Sequence, residues 1–186
     1  AYVTSLLLAF DEREGLLRFV AALNRVIARH DILRTAVLWE GLPEPVQVVH
    51  RQAALSIEWL DDIAIVKGNH HRIDVRKAPL LRALAAHDAA GGRWLLQLPS
   101  HHLALDHTSK DVLIEEIAHL LQGRPEALAP PVPFRRFVAQ ARHGVTPAEH
   151  EAYFRRVLGD VGEPTAPFGL LDVRGDGGRI AESKLL

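Results

Sequence analysis

The chain has 186 residues, of which 48% are hydrophobic and 24% are charged. This composition is typical of a globular domain and excludes a collagen-like or largely disordered chain. Its 22 Lys and Arg against 23 Asp and Glu give a net charge of −1, so we expect neither nucleic acid nor a membrane as a partner. The length allows one domain-sized core but not two.

The chain contains no Cys, which excludes disulfides and thiolate chemistry and fits a reducing compartment. It shows no secretory signal and no apolar run long enough to cross a bilayer. We therefore expect a cytoplasmic protein. Because the first residue is Ala1 rather than Met, we expect a piece of a longer protein, with a folded unit over residues 1–175 and a tail or the start of a linker over 176–186.

Hydrophobic periodicity predicts strands and helices in alternation. The predicted strands cover residues 4–10, 33–40, 46–50, 55–60, 80–87 and 93–98. The predicted helices run from Asp11 as N-cap to about His30, over 61–67, over 109–121 behind a Thr108–Asp111 capping box, after Pro133, and from a Thr146 cap to Gly159. We expect an α/β fold, a two-layer sandwich in which helices cover a mostly antiparallel, mixed sheet.

Polar side chains that can do chemistry crowd one junction, where a strand passes into a capped helix. They are His101, His102, Asp106 and His107. Successive side chains of an extended segment point to opposite faces, so we expect one histidine of the doublet to face a cleft and the other to hydrogen-bond within the loop. Asp106 is placed to close that loop, either on backbone amides or on a cation.

Arg34 is the candidate cation. In the predicted strand it lies between Leu33 and Thr35, where a guanidinium either reaches solvent or meets a carboxylate. An Arg34–Asp106 pair would fix the histidine loop to the sheet, and strand position alone leaves both alternatives open.

Four sequence blocks, in order, carry a family resemblance. Residues 101–106, His-His-Leu-Ala-Leu-Asp, resemble the His-His-x-x-x-Asp-Gly motif of the condensation domains of nonribosomal peptide synthetases, which are relatives of chloramphenicol acetyltransferase. Residues 29–35, Arg-His-Asp-Ile-Leu-Arg-Thr, are similar to the family's Arg-His-(Glu/Asp)-x-Leu-Arg-Thr block. Residues 41–48 resemble the hairpin that follows it, and residues 78–82 the strand before the histidine motif.

The resemblance implies one acetyltransferase-like lobe, the amino-terminal one of a pseudo-symmetric pair with a tunnel between the lobes. It implies that peptidyl and aminoacyl carrier proteins bring substrates tethered to phosphopantetheine, and that no cofactor is bound directly. The acceptor amine attacks the donor thioester and an amide bond forms. The intact domain would be an acyltransferase, and this lobe without its carboxy-terminal partner lobe would be inactive.

The resemblance also implies a role for each motif residue. His102 would face the tunnel and either take a proton from the attacking amine or hold that amine in line. His101 would be structural, and Asp106 would pair with Arg34. His107 stands where the family usually has Gly, so it either borders the tunnel or is a solvated residue at the start of a helix.

Several alternatives stay open. An epimerising domain, or one that both epimerises and condenses, would share the fold and motif. A non-catalytic module that docks carrier proteins, with an exposed apolar face and a tendency to self-associate, belongs to another class. A metal site on the histidine loop is disfavoured, because adjacent histidines on a strand point apart. His70 and His71 with Asp74 are expected to be solvated surface.

Overall fold

The computed structural model describes residues 2–68, 72–163, 165, 166 and 169. The chain divides into two compact units, one over residues 2–136 and the other beginning at Phe137. The strands are β1 (Val3–Phe10), β2 (Thr35–Leu38), β3 (Val46–Val49), β4 (Ile57–Trp59), β5 (Ala83–Asp88) and β6 (Arg93–His101). The helices are α1 (Arg13–Arg29), α2 (Ile63–Lys67), α3 (His107–Leu121), α4 (Phe134–His143) and α5 (Pro147–Leu158), with short 3-10 turns at Asp31–Arg34 and Pro125–Ala127.

The first unit is built on a sheet of strand order β1-β6-β5-β4. β6 is antiparallel to both of its neighbours, and β4 runs parallel to β5. β2 and β3 form a separate antiparallel hairpin, which confirms the hairpin predicted around Gly41. The α/β class with a mostly antiparallel, mixed sheet is therefore confirmed.

One face of the sheet carries the main core, in which α1 and α3 pack against β5 and β6. The contacting side chains recur at helical spacing in α1 and at alternate positions in β6, as the sequence predicts. The buried residues that form this core include Leu16, Val20, Leu23, Ile27, Leu96, Leu98, Leu113, Ile117 and Leu120. On the other face Val66 of α2 packs on Ala86 and Leu95. The central strands are thus covered on both sides, and burial of each such aliphatic side chain stabilises the fold by roughly 1.5–3 kcal/mol.

Two helix starts differ from the prediction. α1 begins at Arg13 with Glu12 in the N-cap position and no side-chain cap. Asp11 lies outside the helix, with 3.6 Å between Asp11 Oδ1 and Arg93 Nε. α3 begins at His107, earlier than predicted, because the N-cap is Asp106 and not Thr108. The Asp106 side chain accepts a hydrogen bond from the Ser109 amide. α5, by contrast, has the predicted capping box of Thr146 and Glu149.

The segment before β2 also differs from the prediction. Residues 31–34 form a 3-10 turn instead of strand. The Leu33 amide donates to the His30 carbonyl at 3.2 Å, and the Thr35 hydroxyl donates to the Asp31 carbonyl at 2.8 Å. Arg34 is therefore not a mid-strand residue, and the predicted strand begins at Thr35 instead of Leu33.

Some predictions fall outside the described residues, namely those for His70, His71 and the tail over 176–186. Asp74 is described and pairs with Arg76, with 2.9 Å between Asp74 Oδ1 and Arg76 Nε. Over the residues with assigned positions, no helix combines the length and the apolar character that a membrane span requires.

Truncation of Ile117 to Ala tests the packing of α3. Ile117 is 1% exposed in the main core, so the cavity left by Ile117→Ala should lower the free energy of unfolding by about 2–5 kcal/mol. Leu121→Ala is the matched control on the same helix, because Leu121 is 49% exposed and should cost at most about 0.5 kcal/mol. Urea unfolding of both variants measures the difference, and equal losses would contradict the packing described here.

Candidate active site

His101, the first histidine of the doublet, makes the hydrogen bonds that shape the loop. β6 ends at His101, whose backbone amide donates to the Leu80 carbonyl at 3.0 Å. Its ring Nδ1 accepts a hydrogen bond from the Leu103 amide at 3.2 Å, and its carbonyl accepts from the amides of Ala104 and Leu105. Burial lowers the pKa of His101, which favours the neutral ring that an accepting Nδ1 requires. The His101 ring is thus engaged within the turn.

The second histidine has a fixed backbone and an exposed ring. The His102 amide donates to the Tyr2 carbonyl at 2.8 Å, which ties the loop to the residue before β1. The imidazole is exposed, and no hydrogen bond joins it to another residue in the part of the chain that the structure describes. A ring in this position can be reached by an incoming molecule.

Asp106 acts on the helix and not on a cation. Its Oδ1 accepts the Ser109 amide at 2.7 Å, as the N-cap of α3. The hydrogen bonds from Ser109 hold the pKa of Asp106 below its ordinary value, so the carboxylate is ionised at the positive end of the helix.

Arg34 lies in the 3-10 turn and faces the end of the β2–β3 hairpin. Its Nη1 donates to the carbonyls of His50 and Arg51, while its buried Nε has no partner among the residues that the structure describes. The predicted Arg34–Asp106 pair is therefore wrong for this structure. The physical reason is that helix α3 satisfies the carboxylate and the 3-10 turn directs the guanidinium to backbone carbonyls.

His107 is the first residue of α3 and its side chain is 92% exposed. Its Nε2 lies 3.8 Å from the Asp111 carboxylate, one helical turn ahead. Within the described chain it is a solvated residue at a helix start. That it borders a substrate tunnel stays a prediction.

A second polar cluster holds the end of α1 against α3, and the sequence analysis did not find it. Glu116, whose side chain is only 13% exposed, accepts from Arg29 Nε at 3.2 Å and lies 2.9 Å from His30 Nε2. Burial raises the pKa of Glu116, but the hydrogen bonds from His30 and Arg29 outweigh it and leave the pKa lowered. Asp31, next in the chain, accepts the Phe134 amide at 3.0 Å. The cluster of Arg29, His30 and Glu116 thus clamps the end of α1 to α3, and Asp31 holds the Phe134 amide.

A cavity of about 200 Å³ lies between the end of α1, the 3-10 turn, the histidine loop and the start of α3. Its lining is mostly apolar and includes Val26, Leu33, Ala104, Leu105, Val112 and Leu113. The loop that carries His102 therefore borders a space that water or an apolar group can enter.

A lysine beneath the histidine loop was also missed. Lys110 Nζ donates to the Thr4 hydroxyl, and the Thr4 and Ser100 hydroxyl oxygens are 3.4 Å apart. Burial lowers the pKa of Lys110. The sequence signal for this contact was a lysine in the first turn of a predicted helix, where a cation opposes the helix dipole.

The metal alternative gains no support from side-chain geometry. Over the residues that were placed, no group of three or more His, Asp or Glu side chains is arranged to hold a metal ion.

Comparison with known proteins adds the family. The family model described as "Condensation domain" matches residues 1–166. The chain belongs to this family.

The similar curated proteins are synthetases. Malpinin synthetase of Mortierella alpina is 43% identical over 188 residues, which is 95% of this chain and 2% of that protein. Malpibaldin synthetase of the same organism is 38% identical over 196 residues, 100% of this chain and 4% of that protein. The chain thus spans only 2% to 4% of the length of these relatives.

Solved condensation domains share the fold. The starter condensation domain of rhizomide synthetase RzmA has a TM-score of 0.65 at 18% identity, over 88% of this chain and 43% of that one. A condensation domain from the enacyloxin polyketide synthase has a TM-score of 0.66 at 23% identity, over 86% of this chain and 34% of that one. At these identities the likeness concerns the fold alone, and it shows that this chain has the fold of a condensation domain.

Two substitutions of Asp106 distinguish a helix cap from a salt bridge. Asp106→Asn keeps an oxygen that accepts the Ser109 amide, so its melting temperature should stay close to that of the wild type. Asp106→Ala removes the cap and should lower the melting temperature by a few degrees, because the first turn of α3 frays. Circular dichroism melts measure both, and an Asn variant as unstable as the Ala variant would show that the negative charge, and not the capping oxygen, stabilises the helix start.

The Glu116 clamp predicts a pH-dependent stability. Its folded pKa lies below the ordinary value of 4.5, so the clamp stabilises fully above that value and is lost as pH falls through the lowered folded pKa. Glu116→Gln should therefore unfold more easily at neutral pH, and its difference from the wild type should shrink on acidification. Urea unfolding across that range measures it, with Glu115→Gln on the exposed side of α3 as control. A difference that does not change with pH would contradict the clamp.

Proposed function

We propose that this chain is the amino-terminal lobe, over residues 1–175, of a condensation domain that forms an amide bond between two carrier-bound substrates. The observation that carries the proposal is the histidine loop. In the condensation-domain motif, His101 is engaged in the turn, while His102 has a fixed backbone and an exposed ring.

The chemistry proposed for His102 follows from its exposed imidazole. The amine of the acceptor aminoacyl thioester attacks the donor thioester carbonyl, a C–N bond forms and the C–S bond breaks. The amine loses a proton and the donor thiol leaves on its carrier. His102 takes that proton or holds the amine in line, and both roles use the free ring nitrogen.

The proposal includes the partners that such a reaction needs. Peptidyl and aminoacyl carrier proteins present the two thioesters on phosphopantetheine, and the lobe itself binds no cofactor. The similarity to malpinin, malpibaldin and linear gramicidin synthetases supports this class of substrate. We place the enzyme in the cytoplasm as part of the same proposal, because the chain has no Cys.

A carboxy-terminal lobe is proposed to complete the tunnel, and the isolated chain is proposed to be inactive. The chain matches 43% of the rhizomide domain, so more than half of a domain of that kind is a candidate to cover its apolar surface. Exposed apolar side chains on and beside the β2–β3 hairpin include Leu38, Trp39, Leu42, Val46, Val48 and Val49. Without a covering lobe, such a surface favours self-association.

Replacement of His102 tests the proposed function. In the complete condensation domain, His102→Ala should reduce the rate of amide formation between two carrier-bound substrates by about 10²–10⁴-fold, because the group that acts on the amine is gone. The fold should persist, since the ring has no partner within the described residues. Product release by mass spectrometry measures the rate, and circular dichroism checks the fold.

The matched control is His150→Ala, an exposed histidine on α5, which should leave turnover unchanged. A wild-type rate in the His102→Ala variant would refute the assignment. Incubation with a carrier-bound L-residue alone, followed by chiral analysis, distinguishes the epimerising alternative, since only an epimerase yields the D form there.

A further inference from the structure

The histidine loop is held at both of its ends by the same strand, β1. At the start of the loop, the Ser100 hydroxyl donates to the Thr4 carbonyl at 3.2 Å. Just past the loop, Lys110 of α3 donates from Nζ to the Thr4 hydroxyl. The Thr4 and Ser100 hydroxyl oxygens lie 3.4 Å apart. These three side chains form a polar bridge, Lys110–Thr4–Ser100, that joins α3, β1 and β6.

The bridge encloses the segment that carries the proposed catalytic ring. β6 leads from Ser100 into the doublet, and α3 leads from Asp106 to Lys110, whose amide donates to the Asp106 carbonyl at 3.2 Å. His102 lies between these ends and is itself tied to Tyr2 by its backbone. A shift of α3 along β1 would therefore move the backbone on both sides of the ring.

The position of Lys110 is energetically unfavourable for a charged ammonium group. This indicates that its contact with Thr4 contributes to holding α3 beside β1. A cation in the first turn of a helix opposes the helix dipole, and burial lowers the pKa of this lysine. Over the described part of the chain, no carboxylate pairs with Lys110. Its side chain is directed to the Thr4 hydroxyl instead of to solvent.

We propose that Lys110 and Thr4 are positioning residues for His102, which hold the loop at the distance and angle that the attack of the amine requires. This inference rests on the proposed function. It replaces the Arg34–Asp106 pair, which this structure lacks, as the contact that fixes the loop to the sheet. Displacement of a catalytic group by about 1 Å can cost as much as 10²-fold in rate.

The test uses Lys110→Met in the complete condensation domain, because Met keeps the aliphatic stem and removes the donor. We expect kcat to fall about 10-fold or more while KM for both carrier-bound substrates stays unchanged. Lys110→Arg, which keeps a charged donor, should restore most of kcat. Lys67→Met is the matched control, since Lys67 is an exposed lysine that pairs with Asp88 on the other face of the sheet.

A double-variant cycle tests whether the two residues act together. Thr4→Val keeps the shape of the strand residue and removes the hydroxyl, so it should reproduce the loss in kcat. If both act through one bridge, Thr4→Val with Lys110→Met should lose little more than the worse single variant. The His102 ring resonance, followed by NMR after isotope labelling, should shift in each single variant but not in the Lys67→Met control.

The outcomes separate this inference from the proposed function. A fully active His102→Ala variant would refute the function. An inactive His102→Ala variant beside Lys110→Met and Thr4→Val variants with unchanged kcat and unchanged His102 resonance would refute only the positioning role. If Lys110→Met fails to fold, Thr4→Val still decides, because loss of kcat with an intact melting temperature supports the bridge and unchanged kcat overturns it.

Discussion

The antiparallel ladder between β1 and β6 is the constraint on which the site depends. It joins the first strand of the described chain to the strand that ends in the histidine doublet, with Val3 opposite His101 and Phe10 opposite Trp94. This pairing fixes the end of β6 at the start of β1 and so gives the following loop a rigid neighbour on one side. The backbone bond from His102 to Tyr2 extends the ladder by one more contact into the loop. Long-range strand pairing therefore fixes the backbone from which the histidine loop extends.

The charged side chains near the loop form hydrogen bonds with backbone and hydroxyl groups. Asp106 is held by the Ser109 amide, Arg34 by two carbonyls, and Lys110 by a hydroxyl. Among the described residues, no ion pair spans the loop. The ion-pair cluster lies instead at Glu116, further along α3, where it joins that helix to α1. The two ends of α3 are therefore anchored by different chemistry, a carboxylate clamp at one end and a polar bridge at the other.

Sequence reasoning predicted the parts of this structure that depend on local pattern. The stripe of Leu16, Val20, Leu23 and Ile27 predicts α1 and its buried face, because apolar residues that recur about every 3.6 positions lie on one face of an α-helix. Thr146 and Glu149 predict the start of α5 for the same kind of reason, because a capping box satisfies its own backbone. The family motif, carried by consecutive residues, was equally accessible.

The wrong or missing predictions share a cause. Either a contact between residues distant in sequence decided the outcome, or two neighbouring residues were equally able to make the same local contact. Alternation alone placed Arg34 within a strand, yet the Thr35 hydroxyl and the His30 carbonyl stabilise a 3-10 turn there. Asp106 and Thr108 are both acceptable N-caps, and only the path of the loop after His101 selects Asp106. No local pattern signals that Lys110 meets Thr4, since the contact exists only once β1 has paired with β6. Local sequence therefore predicts which residues are candidates for chemistry, whereas the geometry around the His102 imidazole is set by contacts spanning nearly the whole first unit.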